Sequence, residues 1–154
     1  PVGADNLFYR LQVEGITPIL VHPERNSEIQ RQPALIEPFI NRGTRVQVTA
    51  MSIIGQFGAR ARLCVERLLR HNCVHLVATD THRADRRPPV LSVGRDAAAA
   101  IVGEEAARRL VEDNPRAVIQ GDPIDANPPL PFEPSPKPGF LSRFRPFKVS
   151  DDQR

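Results

Sequence analysis

The apolar residues between positions 4 and 121 recur at two spacings, and the two spacings alternate along the chain. Three short runs are nearly continuous or follow period two, which predicts strands over residues 16–22, 45–50 and 74–80. A run as apolar as Ile19-Leu20-Val21 is typical of a strand buried on both faces of a parallel sheet. Pro18 cannot donate to a strand ladder, so we expect it near the start or edge of its strand.

Helical spacing fills the intervals between these runs, over residues 7–15, 33–43, 59–70 and 96–112. Pro38 should shorten or kink the second helix, and Gly103 should divide the last one into two. The third has the most regular apolar face, which is formed by Leu63, Val65, Leu68 and Leu69. Strands that alternate with helices indicate parallel βαβ units, so we predict an α/β fold with mainly parallel strands.

The composition changes after Asp122, where seven prolines crowd the interval from Pro123 to Pro138. We therefore divide the chain into a domain over residues 1–122 and a proline-rich tail over residues 123–154. Such a segment is expected to be extended or disordered. Its basic and aromatic end, residues 140–148, reads as a solvated tail, since no long amphipathic helix supports contact with a membrane.

Length and charge limit the classes of function. A chain of 154 residues with 40% apolar residues fits one ordinary globular domain. The net charge is +3 but aromatic residues make up only 5%, so nucleic-acid binding is not expected and the arginines are better assigned to phosphate. No apolar run could span a bilayer, and no basic-then-apolar leader stands at the start, so secretion is not expected. The Pro1 start hints at a missing upstream segment. Cys64 and Cys73 have no metal-type spacing, so we expect buried thiols in a reducing cytoplasm.

Candidate chemistry gathers where the predicted strands end. Parallel α/β architectures bind ligands beyond the carboxyl ends of their strands. His22 ends the first strand, and Asp80 and His82 follow the third at a spacing that lets both face one ion. Carboxylate and imidazole donors suit Mn, Fe or Zn, so these three residues are the candidate metal ligands. His71 and His75 lie at a helix end and within a strand, and neither is expected to bind metal.

Three arginines lie close to these candidate ligands in sequence. Arg25 follows His22, and Arg86 and Arg87 follow His82. A guanidinium group matches two phosphate oxygens at once, and hydrolysis of a phosphate monoester needs an activated water beside positive charge. All three are candidate phosphate-binding residues, with surface salt bridges, for example to Asp85, as the alternative.

Three ordered segments resemble one known family. Gly15-Ile-Thr-Pro-Ile-Leu-Val-His-Pro-Glu-Arg25 resembles a GxxPIxAHPER signature. Residues 47–58 resemble QLTAGSLLGxFG, and residues 74–89 resemble VHFIASDAHxxxxRPP. These are signatures of the PHP-type protein tyrosine phosphatases of the CpsB/CapC/YwqE group, which act in capsule and exopolysaccharide biosynthesis. The resemblance covers residues 7–115.

The resemblance implies a fold and a chemistry. The chain would form the carboxyl-terminal portion of a distorted, TIM-like βα barrel with divalent metal ions, usually manganese. A metal-activated water would attack phosphotyrosine, typically on the tail of a bacterial tyrosine kinase that controls polysaccharide export. By position, His22, Asp80 and His82 match metal ligands, while Arg25 and Arg87 match catalytic, phosphate-binding residues.

This sequence departs from the family pattern in two respects. The family's remaining ligands, an HxH pair, a further His and a Glu, lie upstream of the equivalent of Leu7, so we expect these 154 residues alone to be inactive or nearly so. Met51 also replaces a small glycine. Two alternatives therefore stay open: a catalytically dead binding remnant that recruits partners through its tail, and a PHP phosphoesterase acting on a small phosphorylated substrate. An open sheet edge also leaves room for a homo-oligomer.

Overall fold

The computed structural model describes residues 3–83 and 89–133. Its centre is a three-stranded sheet of β1 (Ile19–Val21), β2 (Arg45–Thr49) and β3 (Leu76–Ala78) in the order β1-β2-β3. Both pairs are parallel. The predicted α/β class with parallel strands is thus confirmed, although β1 and β3 are shorter than predicted.

Eight α-helices surround this sheet in the described ranges, and two short 3-10 turns and one π turn connect some of them. The α-helices are α1 (Ala4–Val13), α2 (Ser27–Arg31), α3 (Glu37–Asn41), α4 (Ala50–Ile53), α5 (Ala59–Arg70), α6 (Ser92–Val102), α7 (Glu104–Arg108) and α8 (Asn114–Gln120). The 3-10 turns are Pro23–Arg25 and Pro33–Ile36, and the π turn is Arg109–Asp113. In these parts of the chain, no helix is long and apolar enough to cross a membrane.

Helix boundaries follow local chemistry. The helix predicted over residues 33–43 is divided into a 3-10 turn and α3, in whose first turn Pro38 lies. Gly103, at φ 86°, separates α6 from α7 as predicted. Helix α2 was not predicted, although it has a recognisable start: Oδ1 of Asn26 accepts from the amides of Glu28 and Ile29 at 2.9 and 3.2 Å.

Helix α5 contributes one continuous buried face to the core. It buries Ala61, Cys64, Val65, Leu68 and Leu69, which recur at the i, i+3, i+4, i+7 spacing of one helix face. Assigning Leu63 to this face was wrong, because its position is two residues from both Ala61 and Val65, on the far side of the helix, and it is 60% exposed.

Both cysteines are free and buried, as the sequence predicted. Burial raises the pKa of the Cys64 thiol to about 12, and the Glu24 carboxylate adds to the effect. Burial also raises the pKa of Cys73 to about 12, with Glu37 adding to it. Both thiols are therefore protonated at neutral pH.

The first part of the proline-rich segment is extended and lies against the domain. The amide of Leu130 donates to the carbonyl of His71 at 2.8 Å, and the amide of Phe132 donates to Glu37 at 2.9 Å. The Phe132 ring stacks on the His71 ring, with centroids 4.0 Å apart and planes at 7°. Residues 123–133 thus contact the domain, and the boundary at residue 122 stays a prediction.

Candidate metal and phosphate site

The turns that follow the three strands form the candidate site. After β1 the chain passes through His22 into the turn Pro23–Arg25, and after β2 it enters α4 directly from Thr49. After β3 it runs through Asp80 to His82. Because all three strands are parallel and adjacent, these exits lie at the same edge of the sheet.

Two of the candidate ligands have a left-handed backbone. His22 has φ 42° and ψ 49°, and Asp80 has φ 53°. This conformation costs an L-residue about 1–2 kcal/mol, so the surrounding structure must hold it in place. Strain of this kind at two strand ends is a reason to look for function there.

Arg25 reaches from the first strand exit to the third. Its Nη1 lies 3.4 Å from Oδ2 of Asp80. Its guanidinium also lies over the Phe57 ring, at 4.6 Å from the centroid, in the geometry of a cation–π contact. The Arg25 side chain is 36% exposed, so a ligand can reach it from solvent.

Asp80 and His82 lie close together, and their shared role as metal ligands stays a prediction. Nδ1 of His82 is 2.7 Å from the carbonyl oxygen of Asp80 and 3.8 Å from its Oδ1. A carbonyl oxygen only accepts hydrogen bonds, so Nδ1 carries the hydrogen and Nε2 of the neutral ring carries the lone pair. That tautomer is the one in which Nε2 can bind a metal ion.

The structure only partly assembles the predicted site. In residues 3–83 and 89–133, no group of three or more His, Cys, Asp or Glu side chains is arranged to hold a metal ion. His22 lies exposed at the end of β1, and it does not form a metal-binding group with Asp80 and His82. The donor types fit a divalent metal, but their number falls short of the four to six that such ions usually take. Arg86 and Arg87 lie outside the described residues.

Glu24 is a polar residue of this region that the sequence analysis did not single out. Its side chain is 0% exposed, and it is the one fully buried carboxylate in the described part of the chain. Oε1 accepts from the Thr49 amide at 3.1 Å and from Oγ of Ser52 at 2.6 Å. Oε2 is buried without a hydrogen-bond partner. Its position between His22 and Arg25 is the feature of the sequence from which Glu24 could have been identified.

The other two histidines are occupied elsewhere. His75 is buried beside β2, and its Nδ1 accepts from the Val46 amide at 3.1 Å. Burial, followed by the charge of Arg45, lowers the pKa of His75 from 6.5 to about 4, so its ring is neutral at pH 7. His71 is stacked on Phe132. Both stand apart from the strand exits, at the opposite end of β3.

Comparison with known proteins identifies one family and several of its members. The family described as "Capsular polysaccharide synthesis, CpsB/CapC" matches residues 4–120. Tyrosine-protein phosphatase YwqE of Bacillus subtilis is 32% identical over 92% of this chain and 55% of its own length. Tyrosine-protein phosphatase CpsB of Streptococcus pneumoniae is 31% identical over 68% of this chain and 45% of its own length.

A solved structure shows the same fold. It comes from work on YwqE from Bacillus subtilis and CpsB from Streptococcus pneumoniae, described as unique metal-dependent tyrosine phosphatases. The TM-score is 0.81 at 31% identity, over 87% of this chain and 54% of that one. The chain thus spans about half the length of the relatives it matches.

Proposed function

This chain belongs to the CpsB/CapC family, and from that premise we propose that it forms the carboxyl-terminal part of a metal-dependent protein tyrosine phosphatase. Relatives from two genera are named tyrosine-protein phosphatases, and the similar solved structure is described as metal-dependent. We also propose that β1, β2 and β3 are consecutive strands of a distorted βα barrel of the PHP type. The parallel order and the helical crossovers support this architecture.

The observation that carries the proposal is the position of Arg25. A guanidinium group lies at the shared edge of the sheet beside Asp80, whose Oδ1 is 3.8 Å from Nδ1 of His82. At 3.4 Å and with 36% exposure, the ion pair between Arg25 and Asp80 contributes at most about 1 kcal/mol. Arg25 can therefore exchange this partner for a phosphate at little cost, while the Phe57 ring supports its guanidinium.

The side chains have separate roles in this proposal. His22, Asp80 and His82 would hold divalent metal. Their mixed nitrogen and oxygen donors suit Mn, Fe or Zn, and manganese is the ion that the family resemblance implies. A bound divalent ion supplies a water activated at neutral pH and positive charge for phosphoryl oxygens. Arg25 binds two oxygens of the phosphoryl group and orients it. Arg86 and Arg87 are proposed as further phosphate-binding residues.

Two further parts of the proposal concern the whole protein. Because the described residues supply too few donors for a complete metal site, we propose that the remaining ligands come from the part of the family domain outside these 154 residues. The isolated chain is then inactive or nearly so. We propose a phosphotyrosine tail of a bacterial tyrosine kinase as substrate. The cytoplasm is the proposed compartment, which suits two free thiols.

The test compares the 154-residue chain with a longer version that supplies the amino-terminal part of the family domain. Metal content is measured by elemental analysis. Hydrolysis of p-nitrophenyl phosphate and of phosphotyrosine, phosphoserine and histidinol phosphate is measured with and without manganese. His82→Ala and Arg25→Ala are compared with Arg62→Ala, which removes an exposed arginine that pairs with Glu66 on α5.

The proposal predicts manganese-dependent turnover of phosphotyrosine in the longer protein, lost in His82→Ala. Arg25→Ala should lower kcat/KM by about 100-fold or more, the usual scale for an electrostatic group at a phosphoryl centre, and Arg62→Ala should not. A preference for histidinol phosphate would replace the protein substrate with a small one. A longer protein that binds no metal and hydrolyses nothing would leave the binding remnant as the better account.

A further inference from the structure

We propose that Glu24 is a positioning residue that fixes His22 and Arg25 at the exits of the strands. It lies between them in the turn Pro23–Arg25, and its own side chain points away from solvent into the core. This inference rests on the proposed function, since it concerns how the candidate site keeps its shape.

The carboxylate of Glu24 ties two strand exits together. Oε1 accepts two hydrogen bonds at once, from the Thr49 amide at 3.1 Å and from Oγ of Ser52 at 2.6 Å. Thr49 is the last residue of β2, and Ser52 lies in α4. The turn after β1 is thereby fixed to the turn after β2, at the same edge of the sheet.

The main chain of Glu24 is held independently. Its carbonyl oxygen accepts from Nε2 of Gln30 at 2.8 Å, which joins the turn to α2. Helix α2 is itself fixed at its start, where Asn26 accepts two amide hydrogens. Glu24 is therefore anchored from both its side chain and its backbone, whereas Arg25 beside it is partly exposed.

This anchoring explains how His22 keeps an unfavourable conformation. A non-glycine residue at φ 42° and ψ 49° relaxes toward ordinary backbone angles unless its neighbours prevent it. Glu24 lies two residues after His22, and its anchored side chain and backbone supply that constraint. Without it, the directions of the His22 and Arg25 side chains would both change, and the approach of Arg25 to Asp80 would be lost.

The environment of Oε2 indicates that Glu24 is more than a packing residue. It is buried without a hydrogen-bond partner, and no Lys or Arg among the described residues forms an ion pair with Glu24. An unpaired buried carboxylate oxygen is costly for folding, and an apolar side chain would fill the same space at lower cost. A costly buried carboxylate next to two candidate site residues is expected if Glu24 serves to position them.

The experiment uses the full 154-residue chain with three substitutions. Glu24→Ala removes the two hydrogen bonds that Oε1 accepts from Thr49 and Ser52, and Glu24→Gln keeps an Oε1 atom that can accept them. Asn114→Ala is the matched control, because Asn114 is also buried and donates to the His75 carbonyl at 2.7 Å, at the other end of β3. Three quantities are measured: the melting temperature, the affinity for inorganic phosphate by calorimetry, and the NMR signals of the His22 amide and the Arg25 Nε–H group.

Glu24→Ala and Asn114→Ala should both melt below the wild type, but only Glu24→Ala should lose phosphate affinity, by about tenfold or more. The signals of His22 and Arg25 should shift in Glu24→Ala and return toward wild-type positions in Glu24→Gln. The proposal is overturned if Glu24→Ala keeps both its affinity and its signals. It is equally overturned if Asn114→Ala, at the same loss of melting temperature, loses affinity to the same extent.

A different result would count against the proposed function instead. If the wild type binds no phosphate and Arg25→Ala changes nothing, the phosphate-binding role of Arg25 is wrong. The NMR comparison of Glu24→Ala with Glu24→Gln needs no ligand, so it still decides whether Glu24 positions its neighbours.

Discussion

Substituting Gly94 by Ala tests how closely α6 approaches the site region. Gly94 is buried in α6, and a Cβ built on it would lie 2.4 Å from Cβ and 2.9 Å from Cα of Ala50. Carbon atoms normally approach to about 3.5–4.0 Å, so the helix would have to move by roughly 1 Å. Ala50 is 0% exposed at the start of α4 and cannot rotate away, because the obstructing atoms include its backbone.

Two effects of opposite sign decide the magnitude. Alanine is favoured over glycine in a helix by at most about 1 kcal/mol, which would stabilise the variant. Overpacking of a tight core costs about 1–3 kcal/mol, and the backbone contact places this site at the upper end. The net expectation is a loss of about 2 kcal/mol in the free energy of unfolding, or about 4–8 °C in Tm for a chain of this size.

Urea unfolding followed by circular dichroism measures this loss. Ala100→Gly, at an exposed position of the same helix, calibrates the propensity effect and should cost about 1 kcal/mol. Adding Ala50→Gly to Gly94→Ala removes the Cβ–Cβ contact and should recover part of the loss. A Gly94→Ala variant as stable as the wild type would refute the reasoning, since helix propensity would then outweigh the contact.

Three other predictions concern stability and accessibility. Because the folded state lowers the His75 pKa from 6.5 to about 4, the unfolded chain binds a proton first as the pH falls. Stability should therefore drop by about 3 kcal/mol between these values, and His75→Gln should flatten this part of a urea-unfolding profile against pH. Cys64 and Cys73, with pKa values of about 12, should react with Ellman's reagent only on unfolding, and fast labelling of the folded chain would contradict their burial. Phe132→Ala should cost about 1–2 kcal/mol through its lost stacking on His71, and an unchanged Tm would show that this contact contributes nothing.

Much of the fold could be predicted from the sequence because the spacing of the apolar residues agrees with the burial that the structure shows. The run Ile19-Leu20-Val21 forms β1, and the helix predicted over residues 59–70 forms α5 with the same bounds. Strand ends were less accurate, since residues 16–18 and 79–80 have strand-like composition but lie outside the paired register of the described sheet. Periodicity measures side-chain burial, and it does not report which backbone groups are paired.

The site was predicted in part for a similar reason. The spacing of two between Asp80 and His82 brought both residues to attention, but it assumes that the strand continues, whereas Asp80 has φ 53° and the shared metal role stays a prediction. Contact of Arg25 with Asp80 and Phe57 joins three separate turns, and the geometry of those turns cannot be read from a single strand. Glu24 was overlooked because a carboxylate in a strand-ending turn is usually exposed, and its burial depends on Thr49 and Ser52.

The parallel order of the strands also determines how this chain can fold. Ile19 pairs with Arg45 and Gln47 pairs with Leu76, so each strand pair closes a loop of roughly 25–30 residues before it gains a single ladder bond. No hairpin connects these strands to start the process locally. Non-local pairing of this kind slows folding, and α5 is the element best placed to form first, because its own contacts are local and it packs against α2, α4 and α6. Substitutions on its buried face should therefore slow refolding more than they speed unfolding, whereas changes at the strand exits should mainly affect unfolding.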